Sequence, residues 1–67
     1  MHILLNGDPI VLNEATTTVA QLIEQLQLAG KRIAVEINQD IVPRSTHANT
    51  LLRAGDKVEI VHAIGGG

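Results

Sequence analysis

The chain has 67 residues, enough for one small domain and too few for a second. It contains no Cys, Phe, Trp or Tyr, which excludes disulfides, thiolate metal sites and aromatic platforms for stacking bases. A net charge of −2 gives no basic face for nucleic acid, and no apolar run approaches the roughly 20 residues of a membrane span. The start, MHILLN, lacks the charged and then apolar segments of a signal peptide. Together with the missing cysteines, this makes the cytoplasm the expected compartment.

Residues 1–6 are apolar and β-compatible, Gly7-Asp8-Pro9 interrupts them with turn chemistry, and Ile10-Val11-Leu12 resumes the apolar run. Two short strands around a tight turn make a hairpin. Ile3 and Leu5 are expected on one face of it, with His2, Leu4 and Asn6 on the other.

Val19, Leu22, Ile23 and Leu26 are spaced i, i+3, i+4 and i+7, the core stripe of a helix over 19–28. Thr18 and Gln21 form a capping box, in which each side chain satisfies the other residue's orphan backbone N–H. Gly30 is placed to take the left-handed conformation that ends a helix.

A strand over 33–38 alternates, with Ile33, Val35 and Ile37 on one face and Glu36 on the other. Asn38-Gln39-Asp40 turns the chain, and Ile41-Val42 is a short extended piece halted by Pro43. Residues 44–53 show no period; Leu51 and Leu52 are expected to tuck under a loop or a single helical turn. Gly55-Asp56 is a turn with an ordinary structural reading, and a last strand covers 57–64, with Val58 and Ile60 inward and Glu59, Val61 and Ala63 outward.

One amphipathic helix covers one face of one sheet, a two-layer α+β arrangement. The first and last strands are both apolar and suit central positions, lying parallel if they are neighbours because the helix supplies a crossover. The expected fold is therefore α+β of the β-grasp (ubiquitin-like) kind: a mixed sheet of four to five strands with one helix on one face. The domain would span 1–64, followed by a flexible glycine tail, 65–67.

The three histidines, His2, His47 and His62, have no metal-ligand spacing and read as surface or edge residues, so no metal is assigned. No nucleophile elbow or phosphate-cradling loop is present, and the seven carboxylates are dispersed. The chain by itself does not read as an enzyme, and no bound cofactor is expected. Leu4, Val61 and Ala63 converge on the uncovered sheet face as a candidate docking patch, against the plain reading of scattered surface hydrophobes.

The terminal Gly65-Gly66-Gly67 admits two readings, an idle flexible end or a reactive one. Glycines enter a channel too narrow for other residues, and the tail's functional group is a terminal carboxylate, ionised at neutral pH. Adenylation turns that carboxylate into an unhindered acyl electrophile.

EINQDIVPR, residues 36–44, and the closing AGDKVEIVHAIGGG resemble the ThiS family of sulfur carriers in thiamin biosynthesis over essentially the full length. The Val42-Pro43-Arg44 segment makes the resemblance specific, since other β-grasp proteins share the Gly-Asp turn and the glycine end. It implies that a ThiF-like adenylating enzyme uses Mg-ATP to activate the Gly67 carboxylate. Sulfur from a persulfide donor then displaces AMP, and the resulting thiocarboxylate passes its sulfur to a ThiG-like thiazole synthase. Gly67 would carry the sulfur as 1-thioglycine, Gly65 and Gly66 would give clearance, and the free carrier would be a monomer. The family ends in a diglycine and this chain in three glycines. If the chain ends at Gly67, Gly66-Gly67 are the family pair and Gly65 is a permissive extra; if Gly67 is not native, the carboxylate belongs to Gly66.

The nearest rival is a MoaD-like carrier, the small subunit of molybdopterin synthase, but its closing strand usually ends in a Pro-Pro-type segment where this chain has His62-Ala63-Ile64. A ubiquitin-like modifier that forms isopeptide bonds and a non-covalent binding module rank behind both.

Overall fold

The computed structural model describes residues 1–13 and 17–62. In chain order the elements are β1 (His2–Leu5), β2 (Asp8–Val11), α1 (Val19–Gln25), β3 (Ile33–Ile37), β4 (Asp40–Val42), a 3-10 helix (Arg44–Asn49) and β5 (Lys57–His62). The strands form one sheet in the order β2-β1-β5-β3-β4. β1 and β5 are parallel, and the other neighbours are antiparallel. This is the expected mixed β-grasp sheet, with the first and last strands side by side at its centre.

The first hairpin turns one residue earlier than the Gly7-Asp8-Pro9 signal suggests. Asn6 and Gly7 take φ of +51° and +87°, the pair of positive values that a two-residue type I′ turn needs. Asp8 and Pro9 are already strand, paired with Leu5 and Leu4. Proline is tolerated there because β2 is an edge strand and Leu4–Pro9 lies between hydrogen-bonded pairs. The second hairpin repeats the device with Asn38 and Gln39 at φ +51° and +73°, so Asp40 also belongs to a strand.

Both halves of the capping box form at the start of α1. Gln21 N–H donates to Thr18 Oγ1 at 3.1 Å, and Thr18 N–H donates to Gln21 Oε1 at 2.8 Å. The helix is shorter than expected, and Gly30 does not end it. Leu28 N–H donates to the Ile23 carbonyl and Gln27 N–H to the Glu24 carbonyl, both at 3.0 Å, around a left-handed Gln27 at φ +60°. That pattern is a Schellman cap with glutamine where glycine is usual. Gly30, at φ +81°, serves the next turn.

Val19, Leu22 and Ile23 of α1 bury against Ile3, Val35, Val58 and Ile60 of the sheet. Leu12 and Leu52 belong to the same cluster. Truncating a fully buried residue such as Leu22 to Ala costs about 2–5 kcal/mol, a large share of what a domain this small has. Leu51, expected under a loop beside Leu52, is instead exposed. Val19 N–H donates to the Thr50 carbonyl and Leu52 N–H to the Thr17 carbonyl, so residues 50–52 run extended beside the helix entry. In an extended segment alternate side chains point in opposite directions: Leu52 goes in and Leu51 out.

Candidate functional site

The candidate acyl carrier Gly67, its supporting Gly65 and Gly66, and the docking residue Ala63 lie outside the described residues. The described part of the site is therefore β5, the strand that leads to them, with its flanking strands and its open face.

β5 is held on both sides. Along β3 the register pairs Ile37 with Val58, Glu36 with Glu59, Val35 with Ile60 and Ala34 with Val61. Along β1 the pairing is brief, Leu4 with Lys57 and Leu5 with Val58, because β1 then turns away at Asn6. The Asn6 side chain continues the ladder in its place. Ile60 N–H donates to Asn6 Oδ1 at 2.9 Å, and Asn6 Nδ2 donates to the Ile60 carbonyl at 3.1 Å.

The other end of β5 has a matching clasp. Lys57 N–H donates to Asn38 Oδ1 at 3.0 Å, Asn38 N–H donates to the Lys57 carbonyl at 2.8 Å, and Asn38 Nδ2 reaches Asp56 Oδ1 at 3.1 Å. Gly55, at φ +87°, lets the chain turn into β5 and donates its N–H to the His2 carbonyl. The Gly55-Asp56 pair is thus structural, as its turn chemistry suggests.

Leu4, Ala34, Glu36, Ile41, Glu59 and Val61 share the sheet face turned away from α1, as the register and strand alternation require. Leu4 and Val61, the two described members of the candidate patch, are on this face but not in contact range. Leu4 lies opposite Lys57, and Val61 is four residues further along β5, about 13 Å at ~3.3 Å per residue. Glu59 lies between them. Val61 is 58% exposed and neighbours Ala34, whereas Leu4 is half-buried.

Two exposed hydrophobes on this face were not picked out from the sequence, Ile41 at 76% and Val11 at 61% exposure. The signal for Ile41 was its place beside the inward-facing Val42 in a two-sided strand. Glu36 and Glu59 sit directly opposite one another, and neither makes an ion pair among the described residues. The open face is therefore a mixture of aliphatic and acidic groups, with the basic Lys57 opposite Leu4.

Of the three histidines, His2 and His62 are exposed, but His47 is buried, contrary to the surface reading. The 3-10 helix packs on α1, and His47 Nε2 lies 3.1 Å from the Val42 carbonyl. Among the described residues no three His, Asp or Glu side chains come together as a metal site. No described helix is long and apolar enough to cross a membrane. A shallow groove of about 250 Å³ lies between α1 and the 3-10 helix, lined in part by Ile23, Leu28, Lys31, Arg44 and His47. It shares no residue with the open face.

A β-grasp sheet whose central last strand leads into three glycines can be compared with known proteins end to end. The ThiS family model matches residues 3–67. The chain belongs to the ThiS family. It is 39% identical to the sulfur carrier protein ThiS of Escherichia coli, covering the whole of both chains. It is also 43% identical, over its full length, to a thiazole synthase of Magnetococcus marinus. The chain spans only about a fifth (20%) of that relative, which is a much longer protein. A crystal structure of the thiamine biosynthesis protein ThiS from Geobacter metallireducens matches with a TM-score of 0.88 at 29% identity, covering 100% of both chains.

Proposed function

We propose that this ThiS-family chain is a sulfur carrier for thiamin thiazole synthesis and is not itself a catalyst. The observation that carries the reading is the end-to-end correspondence with the E. coli sulfur carrier ThiS, over a span that includes Gly65, Gly66 and Gly67. The same correspondence favours thiazole synthesis over the molybdopterin-synthase reading.

The chemistry follows from a glycine carboxylate. One Gly67 carboxylate oxygen attacks the α-phosphorus of Mg-ATP on a ThiF-like adenylating enzyme, and pyrophosphate leaves. The acyl carbon then has AMP as a leaving group, and a persulfide sulfur displaces it. Cleavage of the resulting acyl disulfide by a thiol leaves the thiocarboxylate on Gly67. Gly65 and Gly66 give the carbonyl an unhindered approach. ATP and Mg belong to the partner enzyme, and the carrier binds neither.

The recipient is a ThiG-like thiazole synthase. A segment similar to this whole chain occurs within the thiazole synthases of M. marinus and Paramagnetospirillum magneticum, which supports a physical pairing of carrier and synthase. Leu4 and Val61 at separate points of the open face, Ile41 on its β4 edge, and Ala63 supply docking contacts for these partners. The working compartment is the cytoplasm, where ATP is present and thiols stay reduced.

The reading is tested by ATP–pyrophosphate exchange on the adenylating enzyme. Exchange should require this chain and vanish on deletion of Gly66 and Gly67. Exchange that persists without the two glycines would contradict it.

A further inference from the structure

The C-terminal strand loses its β1 neighbour just where the chain heads for its reactive end. The last main-chain bond from that side is Asn6 N–H to the Val58 carbonyl, at 2.8 Å. Beyond it, the Asn6 side chain alone meets the N–H and carbonyl of Ile60, across 54 positions of sequence. Among the described residues, β5 from Ile60 to His62 would without that side chain be held along one edge only, by β3. We propose that Asn6 is a positioning residue for the carrier terminus: its two side-chain bonds to Ile60 fix the root from which the terminal glycines are presented to the adenylating enzyme. This rests on the sulfur-carrier reading.

A carrier tail that must enter a narrow channel binds best when the strand it springs from is already aligned, because ordering that strand on the enzyme would otherwise subtract from affinity. The effect therefore falls on capture of the carrier and not on the chemical step.

Asn6 stands at φ +51°, so Asn6→Gly removes the clasp while keeping a residue at ease in the turn. Asn6→Asp keeps the acceptor for the Ile60 N–H but sets a carboxylate oxygen against the Ile60 carbonyl. Asn38→Gly is the matched control. It deletes the equivalent clasp at the other end of β5, in the same kind of turn and at φ +51°.

The experiment combines amide exchange at Ile60 with steady-state kinetics of the adenylating enzyme, using full-length carrier at a temperature where every variant is folded. Asn6→Gly should speed Ile60 exchange and raise KM for the carrier roughly five- to tenfold, the weight of one or two hydrogen bonds, with kcat within about twofold. Asn6→Asp should fall between it and wild type. Asn38→Gly should lower thermal stability and leave KM unchanged.

Faster Ile60 exchange with an unchanged KM would overturn the proposal, leaving Asn6 as a strand clasp only. An equal KM rise in Asn38→Gly would overturn it too, since general loosening would then suffice. Wild-type carrier refused by an adenylating enzyme that is active on a known carrier is a separate result: it overturns the sulfur-carrier reading and the role built on it.

Discussion

Asn38 and Asp56 are joined side chain to side chain, Nδ2 to Oδ1 at 3.1 Å, across the turn that admits the last strand. The second Asp56 oxygen accepts the Arg53 N–H at 2.8 Å. Asp56 thus satisfies a turn amide and steadies the residue that clasps Lys57. Asp56→Ala should cost about 1–2 kcal/mol, because two donors lose their acceptor together. Urea unfolding measures this, and an unchanged midpoint would show the network to be idle.

Gln27 ends α1 in the left-handed region, at φ +60°. A side chain there costs roughly 1 kcal/mol, which glycine avoids, and glycine's greater freedom when unfolded offsets part of the gain. Gln27→Gly should raise stability by about 0.5–1 kcal/mol. A lower melting temperature would mean that the glutamine side chain makes a contribution beyond the cap geometry.

Thr17 Oγ1 is fully buried and has no hydrogen-bond partner among the described residues. Valine is nearly the same shape and carries no orphan hydroxyl. Thr17→Val should therefore stabilise the domain by about 1 kcal/mol, seen as a rise of roughly 4–8 °C in melting temperature. A fall would show that the hydroxyl is satisfied in solution.

Val61 is 58% exposed on the open face, whereas Val58, on the opposite face of the same strand, is 1% exposed. Val61→Glu should leave the fold intact and weaken association with the adenylating enzyme roughly tenfold, as expected when a desolvated contact is replaced by a charge. Val58→Glu should unfold the domain. Titration of the Val61 variant with unchanged affinity would remove Val61 from the docking surface.

The elements that were legible in the sequence are those that depend on periodicity. The α1 stripe, its Thr18–Gln21 cap and the inward faces of β1, β3 and β5 all follow from apolar spacing. What was not legible depends on choices among nearly equal local conformations. Gly7 drew the turn toward Pro9, but Asn6 tolerates positive φ almost as readily, and strand register settled the hairpin one residue earlier.

Gly30 drew the helix end three residues too far, because α1 closes in backbone bonds from Leu28 to Ile23 and from Gln27 to Glu24 around a left-handed Gln27 that propensity disfavours. The Asn6–Ile60 clasp spans 54 positions and leaves no local pattern at all. On the open face, a shared side of the sheet was readable for Leu4 and Val61. Their separation along β5 was not, because it depends on the parallel register of β1.

The sulfur-carrier account is tested most directly through the absence of cysteine from the chain. The protein is incubated with its adenylating enzyme, ATP and a sulfur source, treated with a thiol-alkylating reagent, and weighed intact and after fragmentation. A mass gain alone is insufficient, because oxidation of Met1 adds about the same mass as exchanging oxygen for sulfur. The account predicts one alkyl label, mapped to the last glycine. No label, with an enzyme proven active on a known carrier, would contradict it.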